Sequence, residues 1–155
     1  MRSAPFTALG TFAHTPKRGH LEIIEHGLVH VDASGIISDV IRPDQPRYQA
    51  VREQAATSGQ LIEGGPGSLF LPGMVDLHIH APQWPQLGQA LHLPLDRWLN
   101  EYTFPLEARY LDPALARAVY PQLVQTLLAN GTTTGVYFSS IHQEASEVLA
   151  KTCLD

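Results

Sequence analysis

The sequence predicts a mixed α/β chain in which N-terminal β-strands are followed by alternating strands and helices. Before residue 70, short runs rich in β-branched and apolar residues are separated by turn-forming residues, a pattern typical of strands. After residue 70, strand-like and helix-like runs alternate, which favours a parallel sheet. The Gly-rich sequence EGGPGS separates the two patterns, so we expect two regions, residues 1–70 and 71–155.

The composition excludes several classes of protein. The 155 residues are 44% hydrophobic and 16% charged, with a formal net charge of −5, as in an ordinary globular protein. No basic patch indicates nucleic-acid binding, and no apolar run indicates a secretory signal or a membrane span. A single cysteine, Cys153, excludes an internal disulfide. We therefore expect a cytoplasmic protein without nucleic-acid or membrane partners.

The first region contains three predicted strands and one predicted helix. We expect strands near residues 5–12, 22–31 and 36–40, where β-branched and apolar residues are concentrated. The sequence DASG lies between the second and third strands and has the Asp and Gly that a hairpin loop requires. After Pro46, a charged and Ala-rich stretch predicts a short helix that ends at Gly59.

The second region is predicted to contain two β/α units. The sequence MVDLHIH predicts a strand, and LPLDRWLNEYTF predicts a helix because its apolar residues recur at helical spacing. Asp112 and Pro113 predict the start of a second helix, which is expected to end at Asn130-Gly131. Pro121 lies inside this helix, where it should remove a hydrogen bond and kink the helix. The sequences TTTGVYFSS and QEASEVLAKTCLD then predict a strand and a third helix.

The length of the second region limits its architecture. A closed eight-stranded (β/α)8 barrel needs on the order of 200 to 250 residues, whereas 85 residues follow residue 70. Two β/α units therefore fit, and the sequence stops inside an apparent helix. We expect the chain to be the N-terminal part of a larger enzyme, with a compact small α/β domain as the alternative.

Two histidines at the end of the strand MVDLHIH are candidate metal ligands. Side chains of a strand alternate between its faces, so His78 and His80 share one face, with Cα atoms roughly 6.5 to 7 Å apart. Two imidazoles at that spacing can bind one ion with bonds of about 2 Å. Asp76 falls on the same face, where it could orient a metal-bound histidine. The alternative is that both histidines are polar residues at the exposed end of a strand.

The sequence LPGMVDLHIHAP resembles the PG-x-V-D-x-H-x-H signature of the amidohydrolase superfamily. The sequences HIHAPQW, LPLDRWLNEYTFPLEARY and NGTTTGVYFSSIH resemble, in order and spacing, segments of the guanine deaminase family within it. The resemblance implies N-terminal β-sandwich strands followed by the first β/α units of an incomplete, metal-dependent (β/α)8 barrel.

The same resemblance implies roles for individual residues. His78 and His80 would be zinc ligands, and His80, Ala81, Pro82 and Gln83 would bind the substrate. Gln83 would hydrogen-bond guanine, because an amide has both a donor and an acceptor for the mixed edge of that base. The implied reaction is the zinc-dependent hydrolytic deamination of guanine to xanthine and ammonia, by a full-length protein that is a homodimer. The proton-transferring groups and the further ligands lie outside this chain, so we expect the isolated 155 residues to be inactive.

Several alternatives remain at this stage. A different amidohydrolase, acting on a triazine, cytosine or a cyclic amide, would share the histidine pair, and a non-catalytic small α/β protein would carry it incidentally. Trp84 could stack on the base or pack at the rim of the site. Glu107 and Arg109 could form a structural ion pair, and we expect His142 to be structural.

Overall fold

The computed structural model describes residues 4–154 and has two compact units, one ending at Pro72 and one beginning at Gly73. We call them the N-terminal unit and the C-terminal unit. Strands predominate in the first, and strands alternate with helices in the second, so the predicted mixed α/β class is confirmed.

The N-terminal unit is built on one five-stranded sheet. The strand order is β3-β2-β1-β4, and β5 also pairs with β1. β1 pairs with β2 and β2 with β3 in antiparallel fashion, whereas β4 and β5 run parallel to β1. The elements are β1 (Phe6–Lys17), β2 (His20–Val31), β3 (Ile37–Ile41), α1 (Tyr48–Thr57), β4 (Leu61–Glu63) and β5 (Leu69–Phe70).

All three predicted strands of this unit are present, and the first is longer than predicted. β1 continues to Lys17 because it stays paired with β2 as far as His20. The DASG hairpin also forms: the Asp32 carboxylate accepts hydrogen bonds from the backbone N–H groups of Ser34 and Ile36. Gly35 has a φ of 83°, a conformation that suits glycine.

The C-terminal unit has a two-stranded parallel sheet, which confirms the predicted pairing. β6 (Met74–His80) lies beside β7 (Thr132–Phe138), and α4 (Pro113–Ala129) precedes β7 while α5 (Gln143–Leu154) follows it. A Cβ on Gly73 would collide with the side chain of Thr133, so only glycine fits at the entry to β6. Three apolar residues of β6 remain between 58% and 69% exposed, namely Met74, Val75 and Leu77.

A mostly helical stretch lies between β6 and α4. A 3-10 turn (Ala81–Gln86) follows β6 directly, and residues 95–111 form a helical segment. That segment consists of α2 (Leu95–Trp98), a π turn (Leu99–Thr103), α3 (Phe104–Ala108) and a 3-10 turn (Arg109–Leu111).

The π turn departs from the regular helix predicted for LPLDRWLNEYTF. Pro105 has no backbone N–H, and in a regular α-helix its ring would clash with the carbonyl of Glu101. The backbone N–H of Phe104 donates instead to the carbonyl of Leu99, five residues earlier. The widened turn lets the helical segment continue past the proline.

α4 begins as predicted and continues through its internal proline. The Asp112 side chain accepts a hydrogen bond from the backbone N–H of Ala114 at 2.9 Å, which caps the helix. Pro113 occupies the first helical position, and the helix ends before Gly131, whose φ is 88°. Pro121 is exposed and does not interrupt the helix.

Each unit has its own hydrophobic core. In the N-terminal unit, Leu28, Ile41 and Tyr48 are buried together. In the C-terminal unit, the rings of Tyr110 and Tyr120 stack with centroids 5.3 Å apart in a larger cluster. Among residues 4–154, no helix combines the length and apolarity needed to cross a membrane.

Candidate metal centre and adjoining pocket

The structure brings the imidazoles of His78 and His80 together at the end of β6. Their Nε2 atoms lie 2.9 Å apart, and both rings are exposed. Phe138 of the paired strand β7 packs against both rings, with centroids 4.7 Å from His78 and 4.8 Å from His80. The alternation of side chains along β6 and the ring of Phe138 therefore hold the two Nε2 atoms near one point.

This geometry fits one bound metal ion. Zinc–nitrogen bonds are about 2.0–2.1 Å long, so a single ion can reach two nitrogens that lie 2.9 Å apart. The same separation also fits an N–H···N hydrogen bond between the two rings. Among the described residues, no group of three or more His, Cys, Asp or Glu side chains converges on a point. This part of the chain therefore offers two ligands, whereas a catalytic zinc normally has three protein ligands.

Asp76 contacts the backbone of the histidine strand. Its carboxylate accepts a hydrogen bond from the backbone N–H of His78 at 3.0 Å. Asp76 also lines the same cavity as both histidines. This contact stabilises the end of β6 and does not orient an imidazole.

The predicted substrate-binding segment begins with His80, the last residue of β6, and continues into the 3-10 turn with Ala81, Pro82 and Gln83. Ala81 and Pro82 are buried, and Gln83 is half-buried. Gln83 Nε2 donates to Glu107 Oε1 at 2.9 Å and lies 3.2 Å from His80 Nδ1. Gln83 thus connects a candidate metal ligand to a carboxylate on α3.

The suggested ion pair between Glu107 and Arg109 is absent from the part of the chain that the structure describes. Glu107 bonds to Gln83 instead, 24 residues earlier in the chain. The two side chains leave the helical segment in different directions because residues two apart do not share a helix face.

Three side chains of the helical segment form hydrogen bonds with the 3-10 turn at Ala81–Gln86. We call these three side chains the clamp: Thr103, Glu107 and Tyr110. The Thr103 hydroxyl accepts a buried hydrogen bond from Gln86 Nε2 at 2.7 Å. The Tyr110 hydroxyl donates to the carbonyl oxygen of Pro82 at 3.1 Å, also buried. Glu107 binds Gln83 between these two contacts.

Sequence reasoning did not find the clamp. Its only signal in the sequence is the spacing of Thr103, Glu107 and Tyr110 at i, i+4 and i+7, which places them on one helix face. That spacing does not identify the partner segment.

A cavity of about 500 Å³ adjoins the histidines. Its wall includes Asp76, His78, His80, Gln83, Trp84 and Trp98. Trp84 lines the cavity and also packs against the core. His142 is not among the lining residues, and its Nδ1 lies 3.2 Å from Ser140 Oγ.

Residues 69–155 match the model of the amidohydrolase family. The chain therefore belongs to the amidohydrolase family. Within it, the chain is similar to guanine deaminases: it is 39% identical to the mouse enzyme over 142 residues, covering 92% of this chain and 31% of that protein.

Solved structures show the same similarity. The guanine deaminase of C. acetobutylicum, solved with guanine bound in the active site, has a TM-score of 0.79 at 28% identity, over 96% of this chain and 33% of that one. The E. coli guanine deaminase has a TM-score of 0.79 at 28% identity, over 97% of this chain and 34% of that one. The chain thus spans about a third of the length of these relatives.

Proposed function

We propose that this chain forms the first part of a guanine deaminase, which hydrolyses guanine to xanthine and ammonia with zinc as its cofactor. The observation that carries the proposal is the convergence of His78 and His80, with Nε2 atoms 2.9 Å apart, on the cavity that Gln83 also lines. The similarity to guanine deaminases, one of them solved with bound guanine, supports this substrate over a triazine, cytosine or a cyclic amide.

In this proposal, the chain's residues have two kinds of role. His78 and His80 hold zinc through their Nε2 atoms, and bound zinc supplies a water whose pKa is lowered toward neutrality. His80, Ala81, Pro82 and Gln83 form one wall of the purine site. The buried Ala81 and Pro82 give that wall its shape, and the Gln83 amide orients the base by hydrogen bonding.

The same proposal extends to architecture and assembly. Residues 1–70 would belong to a β-sandwich, and residues 71–155 would form the first β/α units of a (β/α)8 barrel. The exposed apolar side chains of β6 support this, because barrel strands are covered on both faces. We also propose that the full-length enzyme is a cytoplasmic homodimer.

A chimera tests the proposal directly. Residues 1–155 replace the matching third of E. coli guanine deaminase, and the purified protein is assayed for bound zinc and for release of xanthine and ammonia. We expect zinc-dependent turnover of guanine and a loss of at least about 100-fold on His80→Ala, since removal of a metal ligand is at least as severe as loss of a group that orients one. The control His20→Ala changes an exposed histidine of the N-terminal unit and should leave turnover unchanged.

Two results would contradict the proposal. One is a folded, zinc-loaded chimera that does not deaminate guanine but hydrolyses a triazine, cytosine or a cyclic amide. The other is sustained guanine turnover by the isolated 155 residues that His80→Ala abolishes, because the site would then need no further ligands.

A further inference from the structure

The amide of Gln83 is held in one orientation by a carboxylate. Gln83 Nε2 lies 2.9 Å from Glu107 Oε1 and 3.2 Å from His80 Nδ1. An ionised carboxylate only accepts hydrogen bonds, whereas an imidazole that holds zinc through Nε2 carries its proton on Nδ1 and only donates. The two neighbours therefore favour opposite ends of the amide, and the contact with Glu107 is the stronger one because it is shorter and involves a charge.

The reverse orientation of the amide is unfavourable. In that orientation Gln83 Oε1 would replace Nε2 at 2.9 Å from the carboxylate of Glu107, so two acceptors would face each other. Both side chains are half-buried, so water does not fully compensate two facing acceptors. The amide N–H₂ group is thus held at Glu107, and Oε1 is the group of Gln83 that remains available.

The other two members of the clamp, Thr103 and Tyr110, hold Glu107 in place. The Thr103 contact lies four residues before Glu107 and the Tyr110 contact three residues after it, and both hydrogen bonds are buried. They tie the helical segment to the 3-10 turn on either side of the Gln83–Glu107 bond. The position of the carboxylate therefore depends on contacts other than its own bond to Gln83.

We propose that Glu107 is a positioning residue that makes Gln83 offer its carbonyl oxygen, and not its N–H₂ group, to the substrate. Gln83 Oε1 accepts no hydrogen bond from any described residue, and Gln83 lines the cavity. The purine edge that meets Gln83 must then carry an N–H donor. This inference rests on the proposed function and is narrower than the prediction from the sequence, in which Gln83 offers both a donor and an acceptor.

The first test uses the isolated chain and needs no substrate. The side-chain amide signals of Gln83 are assigned by NMR in the wild type and in Glu107→Gln. We expect both signals to move in the variant and to show two orientations, because a glutamine at 107 can donate to or accept from Gln83.

The chain offers a matched control for this measurement. Gln143 Nε2 donates to Glu147 Oε1 at the same 2.9 Å on the exposed face of α5. Glu147→Gln makes the same substitution opposite a glutamine outside the cavity and should leave the Gln83 signals unchanged. Unmoved Gln83 signals in Glu107→Gln would overturn the proposal, and the signal of Gln86, bound to Thr103, reports whether the clamp is intact. If Glu107→Gln does not fold, Glu107→Asp serves as the second variant. It keeps the charge on a shorter side chain, which weakens the bond to Gln83 and should move the same signals.

The second test uses the chimera. Glu107→Gln should raise KM for guanine roughly tenfold, as expected for loss of one well-placed hydrogen bond to a charged group, with kcat changed less than about threefold. Zinc content should not change. The wild-type preference for guanine over at least one of 1-, 7- and 9-methylguanine should shrink in the variant, because a misoriented amide no longer requires that N–H.

The two proposals fail separately. A chimera that does not deaminate guanine contradicts the proposed function. In that case the NMR signals of the isolated chain still test whether Glu107 orients Gln83. Normal guanine turnover with unchanged KM and unchanged purine preference in Glu107→Gln contradicts the role of Glu107 alone.

Discussion

Tyr110 is a buried side chain that supports the backbone of the candidate site at Pro82. It is fully buried, stacks on Tyr120, and donates a hydrogen bond to the carbonyl oxygen of Pro82. Burial raises the pKa of the Tyr110 hydroxyl well above its ordinary value, and the nearby Tyr120 adds to the effect. The neutral hydroxyl is therefore required in the folded state.

Replacing Tyr110 with phenylalanine should have two effects on stability. At neutral pH, the loss of the hydrogen bond to Pro82 should lower the free energy of unfolding by about 1–2 kcal/mol. The raised pKa stabilises the wild type below the unfolded-state value of about 10, and this stabilisation is lost as pH rises beyond that value. Tyr110→Phe should therefore flatten the decline in stability above pH ~10, measured by chemical denaturation across pH.

The control for Tyr110 is another member of the clamp. Thr103→Val removes the hydrogen bond from Gln86 but no titratable group. It should lower stability at neutral pH and leave the alkaline decline as steep as in the wild type. An equally steep decline in Tyr110→Phe would show that Tyr110 does not cause it.

Local periodicity predicted the histidine pair but not its supporting contacts. His78 and His80 are two residues apart in a strand, so their common face follows from the alternation of side chains. Glu107 lies 24 residues from Gln83, and its partner depends on how the helical segment packs. Short-range spacing contains no information about such a contact.

At the scale of elements, α4 contains a removable defect. Pro121 has no N–H to donate to the carbonyl of Arg117, yet the helix continues from Pro113 to Ala129. The proline is exposed, so its ring is not needed to fill the core. The helix is held by its buried face, which includes Tyr120 and Leu123.

Pro121→Ala should therefore stabilise the C-terminal unit by about 1–3 kcal/mol, because it restores one hydrogen bond and relieves the ring clash. Thermal and urea unfolding measure the change. Pro113→Ala in the same helix is the control: proline is favourable at the first helical position, so this change should cost about 0.5 kcal/mol. A destabilised Pro121→Ala protein would contradict the prediction.

Sequence patterns predicted the longer elements and missed the short strands β4 and β5 and the π turn. Caps and turn residues located the start and end of α4, and β-branched runs located β1, β2 and β3. The π turn at Leu99–Thr103 was missed because apolar spacing indicates a helix without specifying its hydrogen-bond pattern. Pro105 was the available signal, since a helix that continues past a proline must adjust locally.

At the scale of the whole molecule, the two units can be observed separately. Both tryptophans, Trp84 and Trp98, lie in the C-terminal unit, and the N-terminal unit has none. Tryptophan fluorescence therefore reports on the unit that contains the candidate metal centre. Amide hydrogen exchange of β1 and β2 reports on the other unit.

Zinc should stabilise the C-terminal unit selectively. At a free zinc concentration about 100 times its Kd, binding to the folded state adds about 2.7 kcal/mol. The midpoint of the unfolding transition detected by tryptophan fluorescence should rise accordingly. The protection of β1 and β2 against amide hydrogen exchange should stay constant. His80→Ala should abolish the rise and His20→Ala should not; a zinc effect that survives His80→Ala would exclude the histidine pair as the site.

The π turn also determines which changes in chain length the site can accept. A π turn contains one residue more than a regular α-helical turn, so removing one residue from Leu99–Thr103 would restore regular pitch and leave the later residues almost in phase. Inserting one residue into α2 would instead rotate every later residue of the helical segment by about 100°. Glu107 and Tyr110 would then point away from Gln83 and Pro82, although each side chain would still be present. Across relatives of this chain, we therefore expect a π turn or a regular turn one residue shorter, with the hydroxyl of Thr103 retained because it binds Gln86.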